Sequence, residues 1–184
     1  SEITGYTLIW DNGFSNIIDN LTVTASYTTN AYTITYYDTD GIPFSGLHEI
    51  GYPTSHTYNT DTTLDSPTKN YYEFNGWFLF SDCSGTSITT LSKNTYTDNI
   101  TLYAKWTPIT YQIIYDLVDN YAVNNNPVEY TVEDIFTLTA PTSSLYTFIG
   151  WTGTGLTEIT QDVSISNSNG DRVYKAHWKR TVGE

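Results

Sequence analysis

The sequence predicts a mainly β chain assembled from small tandem units. Three observations carry this reading. Apolar residues recur with period 2 in segment after segment, and no stretch sustains i, i+3, i+4, i+7 spacing. Phe, Trp and Tyr make up 16% of the 184 residues, with Thr and Ile throughout, a composition suited to pleated and half-buried surfaces. Finally, Pro67-Thr68-Lys69-Asn70-Tyr71-Tyr72-Glu73-Phe74-Asn75-Gly76-Trp77 and Pro141-Thr142-Ser143-Ser144-Leu145-Tyr146-Thr147-Phe148-Ile149-Gly150-Trp151 share P-T-x3-Y-x-F-x-G-W without a gap.

Taken in order, residues 1–29 read as the C-terminal half of a preceding repeat. Tyr6-Thr7-Leu8-Ile9-Trp10 echoes the motif, with Leu8 for Phe and Ile9 for Gly, and Leu21 to Tyr27 echoes a closing strand. An Asn12-Gly13 turn lies between them. Two strands without partners are marginal in water, so this half-unit is expected either to dock on the next repeat or to be loosely ordered. Residues 30–107 form the first complete unit. Its opening strand is Tyr32 to Tyr37, Asp40-Gly41 marks a turn, the motif comes next, and Ile100, Leu102, Ala104 and Trp106 share one face of the closing strand. Residues 108–179 repeat the plan, from Tyr111-Gln112-Ile113-Ile114-Tyr115 to Tyr174-Lys175-Ala176-His177-Trp178, and residues 180–184 are a tail. Joints such as Thr107-Pro108-Ile109-Thr110 leave little room for independent tumbling.

Strict alternation would put Tyr72, Phe74 and Gly76 on one face and Trp77 on the other. A glycine inside a strand marks a bulge, and one extra residue there would turn Trp77 onto the face of Phe74. Phe74 with Trp77, and Phe148 with Trp151, are therefore expected to anchor two cores, joined by Trp106 and Trp178. Pro67 and Pro141 open the motif because proline fixes φ and stops a preceding ladder. Tyr72, Gly76, Tyr146 and Gly150 complete this structural signature.

Composition excludes several classes of function. Seven Lys and Arg against 20 Asp and Glu give a net charge of −13, which cannot neutralise a phosphate backbone, so no nucleic-acid partner is expected. No apolar run reaches the length of a spanning helix, so this segment is not expected to insert into a membrane. Methionine is absent, and the chain is expected to be a piece of something longer. Cys83 is the single cysteine, which rules out an internal disulfide; with Asp82 beside it, the thiolate is disfavoured and an inert residue is expected. His48, His56 and His177 are scattered, with His177 on an alternating strand and expected to be solvated. Asp38-Thr39-Asp40-Gly41 has the flavour of a calcium loop, but the glycine comes too early and the bidentate Glu is missing, so a plain turn is expected. Asn20-Leu21-Thr22 and Asn99-Ile100-Thr101 fit a glycosylation sequon, yet both begin closing strands. No catalytic motif occurs; the expectation is no enzyme, no metal and no cofactor.

The three-part pattern resembles the Listeria–Bacteroides repeat, also called the internalin B-type repeat, of bacterial surface proteins. Family units open on Y-T-I-T-F/Y, continue through P-T-x-x-G-Y-x-F-x-G-W and close on N-I-T-L-Y-A-K-W; Tyr32 to Tyr36, Pro67 to Trp77 and Asn99 to Trp106 match all three. Asn70-Tyr71 and Ser144-Leu145 depart by lacking the glycine before the motif Tyr, and the loop from Asp38 to Tyr58 is longer than usual. The resemblance implies a small β-grasp (ubiquitin-like) fold in an elongated array, an extracellular place on the bacterial surface and no catalytic residue. The expected function is a semi-rigid stalk whose partners are adjacent repeats. The alternative is an adhesin binding a host protein or glycan through exposed rings, with Tyr37, Tyr71 and Tyr121 as candidates because each offers an outward aromatic face.

Overall fold

A computed structural model describes residues 2–11 and 18–180, and the chain is mainly β. It divides into two compact units, Ser1–Thr107 and Pro108–Glu184. The Asn12-Gly13 turn and the tail beyond Arg180 lie outside the described residues.

Strands β1 (Tyr6–Trp10) and β2 (Ala25–Thr29) form an antiparallel hairpin with Leu8 opposite Tyr27. Backbone bonds from Asn30 N to Gly5 O (2.8 Å) and from Tyr58 N to Asn30 O (3.0 Å) tie it to the following sheet, and the Tyr6 and Tyr58 rings meet edge to face at 6.0 Å. That sheet is built from β3 (Ala31–Asp38), β4 (Ser55–Thr57), β6 (Tyr72–Phe78) and β8 (Ile100–Pro108) in the order β4-β3-β8-β6. β3 runs parallel to β8 and antiparallel to β4. A separate two-residue ladder joins β5 (Thr62–Thr63) to β7 (Thr90–Leu91). A single 3-10 turn at Thr39–Gly41 is the one helical element among the described residues.

The second unit repeats this topology strand for strand. β9 (Tyr111–Asp116), β10 (Glu129–Tyr130), β12 (Tyr146–Gly153) and β14 (Arg172–Arg180) are ordered β10-β9-β14-β12, with β9 parallel to β14. β11 (Phe136–Thr137) and β13 (Ser164–Ile165) make the small ladder.

Each unit encloses its own core. Ile34, Leu64, Trp77, Leu91, Leu102 and Ala104 of the first are matched by Ile113, Leu138, Trp151, Ile165, Tyr174 and Ala176 of the second. The expected bulge is present: in β12 the register jumps from Phe148 opposite Trp178 to Gly150 opposite His177, with no partner for Ile149. The extra residue rotates Trp151 onto the Phe148 face, where it is fully buried with ring centroids 5.1 Å apart. Gly150 takes φ +146° and Gly76 φ +118°, conformations that side chains disfavour. Added Cβ atoms would meet Ile159 at 2.5 Å and Ser87 at 2.6 Å. The hairpin reaches the same facing by another route. Its version of the motif is one residue shorter, its register is continuous, and alternation alone puts Trp10 on the Leu8 face.

Pro67 and Pro141 are buried at the start of new contacts. The next residue in each case, Thr68 or Thr142, exchanges a reciprocal pair of backbone bonds with Leu47 or Val123. Asn99 at the head of β8 accepts a bond from Thr33 N (3.0 Å), and Asp171 at the head of β14 accepts one from Gln112 N (2.9 Å). The sequon-like Asn99 thus closes the entrance to the parallel pair.

Candidate functional site

The two turns that lack the family glycine solve the same problem differently. Tyr71 itself adopts φ +69°, the left-handed conformation glycine would take, and this turns its ring half-exposed to solvent. In the second unit the Ser143 hydroxyl, itself donating to Asp119 at 2.5 Å, accepts from the amides of Leu145 (3.1 Å) and Tyr146 (3.2 Å). The residue aligned with Ser143 is Lys69. Its ammonium lies 4.2 Å from the Tyr72 ring centroid, 5.7 Å from that of Trp106 and 3.8 Å from Asp38 Oδ2.

Lys69 therefore lies over the aromatic pair Tyr72 and Trp106, and Ser143 is too short to do the same for Tyr146 and Trp178. A groove of about 520 Å³ opens there, walled by the loop Val118 to Tyr121, the turn at Leu145 and Tyr146, and β14 from Lys175 to Trp178 with Arg180. β9 leaves β14 at the Asp116 to Lys175 pair, which uncovers the rest of β14 on that side. Tyr121 is 72% exposed at the rim, Tyr146 39%. Trp178 donates its Nε1–H to Leu117 O at 2.7 Å.

Of the three rings expected to face outward, Tyr121 lines this groove, and Tyr37 and Tyr71 do not. Tyr37 is half-buried and stacks on Tyr103, with centroids 6.2 Å apart and planes 28° from parallel. Tyr71 is placed by its turn. Each of the three sits in its own local setting. The groove itself left no mark in the sequence pattern, because Val118 to Tyr121, Leu145 and Arg180, which line it, are not positions the two motifs share.

The single cysteine, the three histidines and the carboxylate of the acidic turn are engaged structurally. Asp38 accepts from Trp106 Nε1–H (2.8 Å) and Ser45 Oγ–H (2.5 Å), so the acidic turn it opens is committed to the core. Cys83 is buried with its sulfur 3.3 Å from Thr39 Oγ1, while hydrogen bonds from the Ser84 side chain and amide hold the neighbouring Asp82 carboxyl below its usual range. His48 Nδ1 lies 2.8 Å from Asp65 Oδ2, and its ring stacks on Tyr52 at 3.8 Å. His56 is fully buried against Thr62 Oγ1 (2.9 Å). His177, expected to be solvated, is half-buried with Nε2 2.7 Å from Thr152 Oγ1, because the two residues are close neighbours across the β12 to β14 ladder. Tyr36 and Tyr115 occupy equivalent places and donate to the carbonyls of Pro53 (2.6 Å) and Pro127 (2.9 Å). Burial raises both phenol pKa values, that of Tyr115 to about 12. Among the described residues no group of three or more His, Cys, Asp or Glu is placed to hold a metal, and no helix is long and apolar enough to cross a membrane.

Residues 32–105 match the family model of the Listeria-Bacteroides repeat domain, in agreement with the resemblance drawn from their motifs. A protein of Evansella cellulosilytica, provisionally named as a membrane protein, is 27% identical over 145 residues; these are 79% of this chain and 20% of that protein. The chain thus spans about a fifth of the length of this curated relative. No solved structure matches the chain.

Proposed function

Starting from residues 32–105 as a Listeria-Bacteroides repeat, we propose that the chain is a non-catalytic, semi-rigid spacer in an extracellular bacterial surface protein, presenting other domains away from the cell. On this reading residues 30–107 and 108–179 are successive β-grasp-like repeats. Residues 1–29 are the closing half of an earlier one. The parallel central pair with one strand hydrogen-bonded on either side, present in both units, supports the β-grasp assignment. Leu8 opposite Tyr27, in the register of Phe148 opposite Trp178, supports the half-repeat.

The observation that carries the proposal is that the recurrent residues are architectural. Of the motif positions shared by the two units, the Pro-Thr pair, the Phe, the Gly and the Trp build a turn, a bulge or a core, whereas the outward rings Tyr37, Tyr71 and Tyr121 are not repeated. Single-residue and two-residue joins, Asn30 between β2 and β3 and Ile109-Thr110 between β8 and β9, favour stiffness. The much longer relative named for the membrane is consistent with a piece of a larger envelope protein. Small-angle X-ray scattering of the whole chain tests this. A compact globule of this length would have a radius of gyration of about 16 Å. An array is expected at about 20 Å or above, and the compact value would defeat the spacer.

A further inference from the structure

The groove of the second unit combines features that a spacer does not need. Tyr146 and Arg180 are direct partners across the β12 to β14 ladder, which sets an aromatic ring beside a guanidinium at one end of the groove. Trp178 and the highly exposed Tyr121 add further ring surface, and Asn120 and Asp119 bring polar groups to the rim. The charge placement is equally specific. The whole chain carries seven Lys and Arg, and four of them, Arg172, Lys175, Lys179 and Arg180, lie on the single strand β14. Lys175 and Arg180 line the groove. Lys175 pairs with Asp116 at 3.6 Å, whereas Arg180 has no ion-pair partner among the described residues. An exposed cation beside exposed rings, in a chain of charge −13, is a local attraction for a single negative charge set against a general repulsion of polyanions.

We propose that this groove binds a saccharide carrying one carboxylate, such as a uronic or sialic acid residue. The apolar C–H face of a pyranose would stack on Tyr121 and Tyr146, its hydroxyls would meet Asn120 and Asp119, and its carboxylate would pair with Arg180. The volume of about 520 Å³ falls within the usual range for small-molecule sites. An open, polar-rimmed groove suits a hydroxylated ring better than an apolar acid, which needs enclosure. The first unit supplies an internal control. There Lys69 covers the equivalent rings, and Tyr103 and Pro108 stand where Lys175 and Arg180 stand in the second unit, so that unit lacks the site.

The proposal is tested by titrating the full chain, labelled with ¹⁵N, with glucuronic acid, N-acetylneuraminic acid, glucose and a short poly-Glu peptide. The acidic sugars are expected to shift the resonances of Tyr121, Tyr146 and Arg180, with glucose at least tenfold weaker, a difference of about 1.4 kcal/mol. Tyr121→Ala, on an exposed loop, and Arg180→Gln should each weaken binding at least tenfold. Ser143→Lys should close the groove as Lys69 does, and so abolish binding although it adds a positive charge. No shift at these resonances with either acid would overturn the proposal, as would undiminished binding to Ser143→Lys. Equal affinity for glucose would remove the role of the carboxylate, and a stronger response to poly-Glu would replace the saccharide with a peptide. None of these outcomes depends on whether the chain is extended, so the spacer and the groove stand or fall separately.

Discussion

Trp77 and Trp151 occupy the same place in two copies of one core, but their indole N–H groups meet different fates. Trp77 Nε1–H donates to Asp65 O at 2.8 Å. Trp151 Nε1 is fully enclosed with no hydrogen-bond partner, and the matching carbonyl, Thr139 O, accepts instead from Asn126 Nδ2 at 2.8 Å. Trp→Phe at either site removes a ring that is at most 1% exposed and packs on a neighbouring Phe, at 5.2 Å for Trp77 and 5.1 Å for Trp151, so the packing losses largely cancel between sites. The polar contributions have opposite signs. Trp77→Phe strips a buried carbonyl of its donor, a loss of about 1–3 kcal/mol, while Trp151→Phe relieves an unpaired buried N–H, a gain of similar size. Trp77→Phe should therefore cost at least about 2 kcal/mol more, roughly a thirtyfold difference in the opening equilibrium. Native-state amide exchange in the full chain reads the two units separately through the slowest amides around Leu102 and Tyr174, both fully buried. Equal losses at the two sites would refute the reasoning and show that the Trp151 N–H is bonded in solution.

Two further outcomes are expected from the same cores. Gly150→Ala should lose about 1–3 kcal/mol from backbone conformation alone, with more from the approach to Ile159, while Gly170→Ala, which meets open space, should lose about 1 kcal/mol; thermal unfolding followed by circular dichroism compares them, and equal shifts would reject the bulge argument. For His56, desolvation by burial lowers the pKa below its ordinary 6.5, against a smaller opposing pull from Asp61. The unfolded chain then binds more protons, so stability is full above about pH 6.5 and falls as the pH drops through that value toward the folded pKa. Exchange rates in the first unit measured from neutral to mildly acidic pH should show this slope, and His56→Gln should flatten it; an unchanged slope would exclude His56 as its source.

Much of the fold was legible because the signals were long and repeated. The alternation in Ile100 to Trp106 identified a strand, and Gly76 and Gly150 identified the bulge, because an extra residue is the simplest way to bring a Trp onto the face of a Phe two positions before its glycine. Other features left no such trace. The ladder of Thr62–Thr63 with Thr90–Leu91 is too short for a period to register, and β4 is too short for its middle residue, His56, to be read as buried. The outward ring of Tyr71 results from positive φ in a turn, where a missing glycine forces a bulky residue into that conformation, and no alternation signals this. The groove was hidden for a related reason. Val118 to Tyr121, Leu145 and Arg180, which line it, lie outside the positions the two motifs share, as does the Lys69 to Ser143 difference beside it.

Those unshared positions show how the repeats diverge. The apolar skeleton is held nearly fixed, while its polar partners are exchanged. Trp106 donates to a side chain, Asp38, whereas Trp178 finds the backbone carbonyl of Leu117. Where the first unit packs Ile100, Leu102 and buried His56, the second places Arg172, Tyr174 and Tyr130, with the guanidinium donating to both hydroxyls at 2.9 and 3.0 Å and Tyr130 donating in turn to Gly170 O at 2.6 Å. An arginine in a strand that faces a core is tolerated there because its donors are used. Substitutions of this kind leave each core intact but change the chemistry at its edges. A ligand that fitted the groove of the second unit would therefore find no matching surface on the first, where Lys69, Tyr103 and Pro108 replace Ser143, Lys175 and Arg180.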